Sequence, residues 1–120
     1  MIDLLPTFLD LAGAPAPTEI EGRAVEPMEG VSLAPALEGG VVERDAIYWE
    51  HEGNRAVRQG RWKLVARHQG EWELYDLVAD RTEMIDLADT DPDRVERMIT
   101  MYDAWAERVM VRPWPLRKSD

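Results

Sequence analysis

The stretch AIYWEHEGNRAVRQGRWKLVARHQGEWELYDL, residues 46–77, decides the fold of this chain. It is rich in Trp, Tyr, Val and Ile, and it is punctuated by turn signals at Glu52-Gly53-Asn54, Gln59-Gly60 and Gln69-Gly70. β-branched and aromatic residues favour the pleated, half-buried surface of a strand, and glycine supplies the left-handed backbone that tight hairpin turns need. The spacing predicts a four-stranded antiparallel meander with strands near 46–51, 54–59, 61–67 and 72–77. Alternation then places Ile47 with Trp49 on one side of their strand, and likewise pairs Trp62 with Leu64 and Trp72 with Leu74.

A tryptophan-rich face needs a cover. Residues 92–110 supply one, because Val95, Met98, Ile99, Tyr102, Trp105 and Val109 recur at steps of three and four, the mark of an amphipathic helix. Asp91 is its expected N-cap, Pro92 its first helical residue, and Asp93 and Glu96 suit its positive end. Pro113 stops it and leaves Arg112 to Lys118 as a tail, with Trp114 as its docking residue. Of the five tryptophans, about four are expected inside.

On the other side of the meander, residues 3–12 read as a short helix with Asp3 as candidate N-cap and Gly13 as its stop. Its apolar residues, Leu4, Leu5, Phe8, Leu9, Leu11 and Ala12, cover more than one stripe, as in a helix packed on several sides. Residues 14–43 hold Pro15, Pro17, Pro27 and Pro35 together with Gly22, Gly30, Gly39 and Gly40. Such punctuation predicts an irregular linker, with at most a short helix over 32–37 capped by Ser32. The expected class is α+β: a four-stranded antiparallel sheet packed against one long C-terminal helix, with a short N-terminal helix and irregular linker over 1–43 and the sheet domain over 44–120.

The chain has 120 residues, a formal charge of -10 and a pI near 4.6. That balance works against nucleic-acid and anionic-membrane partners, which are held by Lys and Arg. No apolar run approaches the roughly 20 residues needed to span a bilayer, and no basic leader with a cleavage site is evident, so localisation is unknown from the sequence. Cysteine is absent, which removes disulfides and thiolate chemistry. The acidic series Asp76, Asp80, Glu83, Asp86, Asp89, Asp91 and Asp93 does not have the spacing of an EF-hand loop and reads as turns and caps, so no metal site is expected.

Two groups of residues could carry chemistry. His51 sits between Glu50 and Glu52 at a strand end, where a carboxylate could raise its pKa and set its tautomer. Strand neighbours point to opposite faces, so a half-exposed turn histidine is the plainer reading. Arg55, Arg58, Arg61, Lys63 and Arg67 form a basic run that could attract an anion or pair across strands with Glu50, Glu71 and Glu73.

The block Trp49–Val65 followed by Trp72–Leu77 resembles the C-terminal subdomain of type I sulfatases, the arylsulfatase family. Ile2–Gly13 looks like the helix ending the family's catalytic domain. Glu29-Gly30-Val31-Ser32-Leu33 is similar to the family's D-G-x-S-L element, and Asp76–Glu83 to its Y-D-L-x-x-D-P-x-E turn, with Arg81 in place of proline. The resemblance implies sulfuric ester hydrolysis in a complete enzyme that uses formylglycine and calcium. Formylglycine is made from the first residue of a Cys/Ser-x-Pro-x-Arg motif, and neither Ser32 nor Ser119 is followed by proline two residues on. No catalytic residue, cofactor or metal ligand is therefore expected in this chain. The resemblance places this region at the rim of the substrate cleft, which makes His51, Asn54 and Arg55 the candidate substrate-binding residues. Expected partners are a sulfatase catalytic domain or a second copy, through residues 3–12. Two other readings stay open: an independent oligomerising binding module without catalysis, and a small hydrolase using His51 with a nearby carboxylate.

Overall fold

The computed structural model describes residues 1–115, in two compact units, Met1–Arg44 and Asp45 onward. The C-terminal five residues, including Leu116, Arg117 and Lys118 of the expected tail, lie outside the described residues. No helix among the described residues is long and apolar enough to cross a membrane.

The first unit holds helix α1 (Leu4–Leu11), a small hairpin of β1 (Glu19–Ile20) and β2 (Arg23–Ala24), and helix α2 (Ala34–Leu37). The hairpin is an addition to the expected irregular linker. It closes on Glu21 and Gly22, both at positive φ (51° and 76°), the backbone of a type I′ turn. Asp3 stands at the N-cap position of α1, yet its side chain does not cap the helix. Its carboxylate instead accepts the Val31 N–H (3.0 Å) and an ion pair from Arg44. Arg44 holds the Asp3 carboxyl below the usual carboxylate range. The segment 30–33 is stitched along α1 by further polar bonds. Leu33 N–H donates to Thr7 Oγ1 (2.9 Å), Thr7 is buried, and Ser32 Oγ donates to Asp10 (2.5 Å). Ser32 also accepts the Ala34 N–H at 3.1 Å, but it stands one position ahead of the N-cap, which is Leu33 rather than Ser32. Gly30 is required here because a Cβ would sit 2.0 Å from the Ile2 carbonyl oxygen.

The second unit is an antiparallel sheet in the order β3 (Ile47–His51), β4 (Asn54–Gln59), β5 (Trp62–Ala66), β6 (Trp72–Asp76), with α3 (Pro92–Arg108) across one face. Register sets Tyr48, Val57, Leu64 and Leu74 in one row, and Glu50, Arg55, Ala66 and Trp72 in the next row on the same face. Val57, Leu64 and Leu74 are buried to 0% exposure and meet Met98 and Tyr102 of α3. This is the core. The tryptophans rim it: Trp62, Trp72 and Trp105 pack against it partly buried. Trp49 and Trp114 remain 47% and 39% exposed, so the expectation of four buried tryptophans is corrected to three partly buried ones. For Trp49 the reason is alternation, since it pairs with Ala56 on the face away from α3.

Helix α3 begins as expected, with Asp91 accepting the Arg94 N–H at 3.2 Å and Pro92 at the first position. It ends before Pro113 by a local device. Val111 N–H donates to the Ala106 carbonyl (2.8 Å) and Met110 N–H to that of Glu107 (3.1 Å), with Met110 in the left-handed region at φ 57°. Helix α1 ends in the same motif, with Gly13 at that position (φ 61°) and Ala14 N–H reaching Leu9. At the end of α3 a methionine holds the place glycine usually takes, and the chain turns there so that Trp114 comes beside the sheet end.

Beyond β6 the acidic residues organise the 77–90 loop. Asp86 accepts the N–H groups of Leu74 and Ala88, both at 2.9 Å, and Leu87 N–H donates to the Leu74 carbonyl, so the loop covers the sheet's β6 edge. Asp80 accepts the N–H groups of Met84 (2.6 Å) and Ile85 (2.8 Å), and these bonds hold its carboxyl below the ordinary range.

Candidate functional site

The sequence-derived residues His51, Asn54 and Arg55 lie on the β3–β4 hairpin, whose two-residue turn Glu52-Gly53 has both residues at positive φ (53° and 80°). This is a type I′ turn, whose twist matches that of the strands. Asn54 braces it. Its amide donates to the His51 carbonyl (2.7 Å), and its side-chain oxygen accepts the His68 N–H (3.2 Å) from the β5–β6 loop. His51 is exposed and faces away from α3, on the same side as Asn54. Arg55 faces the α3 side, where its guanidinium lies 4.4 Å from the centre of the Trp72 ring. The three residues therefore share a hairpin and divide between its faces.

Glu50, the carboxylate nearest His51 in sequence, sits on the α3 face and accepts the Gly53 N–H at 2.7 Å. The remaining cations of the basic run also separate. Arg61 forms a two-pronged pair with Asp76, which lowers the Asp76 carboxyl pKa, and Lys63 Nζ contacts both oxygens of Glu83 at 2.7 Å. The expected partners Glu50, Glu71 and Glu73 are thus corrected to Asp76 and Glu83. Arg61 belongs to the β4–β5 turn and reaches Asp76 at the end of β6, next to the Trp62–Asp76 pair. Glu73 is instead bonded by the Tyr75 hydroxyl (2.6 Å), which pushes the Tyr75 pKa up to about 12.

Between the hairpin turn, the β5–β6 loop and the segment after α3 lies a cleft of about 470 Å³. Glu50, Arg55, His68, Tyr102, Glu107 and Trp114 are among its walls. Tyr102 is 3% exposed, packs edge-on to Trp72 (5.5 Å between centroids), and its buried hydroxyl has no hydrogen-bond partner among the described residues. Burial, with Glu50 adding to it and Arg55 opposing, raises the Tyr102 pKa. Gly53 is favoured at this wall by its φ of 80°, and a Cβ there, 2.3 Å from His68 Nδ1, would push the imidazole aside. Sequence reasoning missed His68 and read Tyr102 as core alone. The available signal was register: in a meander, the 52–53 turn and the 67–71 loop fall at the same end of the sheet.

The model for the C-terminal region of N-sulphoglucosamine sulphohydrolase matches residues 1–103. Over 110 residues the chain is 36% identical to an uncharacterized sulfatase of Schizosaccharomyces pombe, covering 85% of this chain and 20% of that protein. It is 35% identical over 95 residues to an N-acetylglucosamine-6-O-sulfatase of Bacteroides thetaiotaomicron, covering 69% of this chain and 16% of the relative. Among solved structures it is similar to Ps i-CgsB in complex with k-i-k-neocarrahexaose, with a TM-score of 0.69 and 26% identity over 88% of this chain and 24% of that one. The chain thus spans 20% or less of the length of these two sulfatases, and the motifs quoted above lie inside the region that the family model matches, residues 1–103. On the match over residues 1–103, and on a fold of four antiparallel strands, a long helix and a short N-terminal helix, the chain belongs to the sulfatase family as its C-terminal subdomain.

Proposed function

We propose that the chain is the C-terminal part of a sulfuric ester hydrolase, that it completes the enzyme's fold, and that its β3–β4 hairpin edges the substrate cleft through His51, Asn54 and Arg55. The observation that carries this reading is the family match across both units, residues 1–103. The N-acetylglucosamine-6-O-sulfatase relative supports a sulfate ester as substrate class. The nucleophile belongs to the rest of the enzyme in this reading, because the chain has no cysteine and neither serine stands in a Ser-x-Pro-x-Arg motif. Calcium does not fit the residues present. The carboxylates of Asp80, Asp86 and Asp91 are taken up by backbone N–H groups, and among the described residues no group of three or more acidic or histidine side chains converges.

The test has two arms. The isolated chain, free of contaminating sulfatase, is expected to leave a chromogenic aryl sulfate unhydrolysed with or without calcium, and the coding sequence upstream of Met1 is expected to carry a Cys/Ser-x-Pro-x-Arg motif. Calcium-dependent turnover by the chain alone would overturn the division of labour, and an unrelated upstream start would overturn the assignment to a larger hydrolase.

A second reading, an oligomerising module without catalysis, draws on α1. Leu4, Leu5, Phe8 and Leu11 are 46%, 55%, 63% and 61% exposed, and covering the exposed half of each is worth about 1 kcal/mol. In either reading this face is buried, against the catalytic domain or against a second copy. Sedimentation of the isolated chain is expected to show self-association that Phe8→Asp abolishes; a strict monomer at high concentration would remove the module reading.

A further inference from the structure

We propose that the face of the sheet turned away from α3 docks an acidic, aliphatic stretch of another polypeptide, in the groove between Trp49 and Leu77. The proposal does not rest on sulfuric ester hydrolysis. Register places Trp49, Ala56 and Val65 in one row on that face, and Arg58 and Lys63 in the next. With Leu77 and Glu83 they wall a groove of about 420 Å³, whose apolar part includes the half-exposed Trp49 indole. The loop that supplies Leu77 and Glu83 is tied down twice. Asp80 accepts the N–H groups of Met84 and Ile85, and Lys63 holds Glu83. Val78, Met84 and Ile85 are nevertheless exposed on that loop. Single apolar side chains on a surface are ordinary, whereas a fixed apolar loop beside an apolar groove marks a contact surface.

Charge decides the occupant. Lys63 is paired with both oxygens of Glu83, and Glu73, at the β6 end of the Trp49 row, carries the Tyr75 hydroxyl. Arg58 is different. Its Nε donates to the Gly60 carbonyl at 3.1 Å, which orients the guanidinium, and it has no carboxylate partner among the described residues. Its two terminal NH2 groups are left to grip one carboxylate as a fork. A single unpaired cation in a chain of charge -10 suits one carboxylate, while a polyphosphate would be repelled by the rest of the surface. Sulfate alone would leave the indole in water. Ala56 and Arg58 stand two residues apart on one strand, about 6.7 Å, the same step that separates side chains on one face of an extended peptide. A glutamate with leucine two positions away therefore reaches the guanidinium and the apolar row together.

The full 120-residue chain is titrated with a blocked pentapeptide in which serine spacers set leucine two positions to either side of a central glutamate. The same peptide with glutamine at its centre, and sodium sulfate, are titrated separately, all read by indole and arginine Nε chemical shifts. The glutamate peptide is expected to shift the Trp49 indole and Arg58 Nε saturably at millimolar concentration. It should bind about fivefold more tightly than the glutamine peptide, the upper end for one exposed ion pair. Trp49→Ala should weaken both peptides about tenfold. Arg58→Gln should abolish the preference between them with little change in melting temperature, because Arg58 is exposed. Should Arg58→Gln fail to fold, the preference between the two peptides in the unaltered chain decides by itself. Equal affinity for the two peptides, a preference that survives Arg58→Gln, no shift at Trp49, or sulfate shifting Trp49 as the glutamate peptide does would overturn the proposal. A Trp49 shift that follows chain concentration without peptide would assign the face to a second copy and overturn it equally.

Discussion

The two units of this chain are held together by different physics. From Asp45 onward, fully buried Val57, Leu64, Leu74 and Met98 form an apolar centre between sheet and helix. In residues 1–44 the buried side chains of α1 are Pro6 and Thr7, and its large apolar residues are mostly exposed. Side-chain-to-backbone bonds from Asp3 and Thr7 to Val31 and Leu33 hold that unit instead. A hydrogen bond contributes about 1 kcal/mol net, and a fully buried leucine about 1.5–3. The sheet unit therefore carries its own stability, whereas the first unit holds its shape by specific polar contacts and leaves Leu4, Leu5, Phe8 and Leu11 exposed.

The comparison is broken most directly at the centre of the sheet. Leu64→Ala is expected to cost about 2–5 kcal/mol, because it empties a site with 0% exposure between β4, β6 and α3. Denaturant melts give the number. If Leu64→Ala were no more damaging than Phe8→Ala on the exposed face of α1, the stability would not reside where the packing places it.

Gly30→Ala probes the other unit. Its methyl group would be driven to within 2.0 Å of the Ile2 carbonyl, and backbone cannot swing away as a side chain can. The expected cost is about 1–3 kcal/mol, confined to residues 1–44. Hydrogen exchange should show faster exchange at the amides of Val31 and Leu33 and unchanged protection in β4 and β5. Equal loss in both units would mean that they unfold as one.

The same contrast explains what the sequence made legible. Strands, their turns and the helix over 92–108 follow from period and punctuation, because the sheet unit is built from local pattern plus burial. The family motif Glu29-Gly30-Val31-Ser32-Leu33 was visible as a string. Its purpose was not, since the Gly30 approach to Ile2 and the Asp3–Val31 bond join positions 28 residues apart. Asp3 read as a cap for the same reason: cap preference is local, and the competing offer from Val31 and Arg44 is not. The end of α3 was hidden too, because Met110 adopts a left-handed backbone that sequence assigns to glycine, at a cost of about 1 kcal/mol. The cleft depended on both, needing that turn to bring Trp114 beside a loop whose His68 no motif marks.

Acid should act more gently, through the depressed carboxylates. Asp3, Asp76, Asp80 and Asp91 all lie below the usual value of 3.8 in the folded chain, Asp3 and Asp76 chiefly through Arg44 and Arg61. A folded pKa below the unfolded one adds stability above the unfolded value and loses it as pH falls through the folded one. The melting temperature should hold near neutral pH and decline below about pH 4, and Asp76→Asn should flatten that decline. A melting temperature that rose on acidification would reverse the sign of the argument.

The smallest effect is expected at His51. Its side chain is exposed on the face away from α3, and the hairpin is held by the Asn54 amide on the His51 carbonyl, a backbone atom that any residue at position 51 retains. His51→Ala should therefore change stability by less than about 0.5 kcal/mol, while Asn54→Ala, which removes that bond and the one to His68 N–H, should cost about 1 kcal/mol or more. Thermal melts of the two variants separate a residue free to meet a substrate from one committed to holding the turn. Were His51→Ala the more damaging of the two, the imidazole would be part of the hairpin's framework, and the proposed substrate edge would have to be drawn from Asn54 and Arg55.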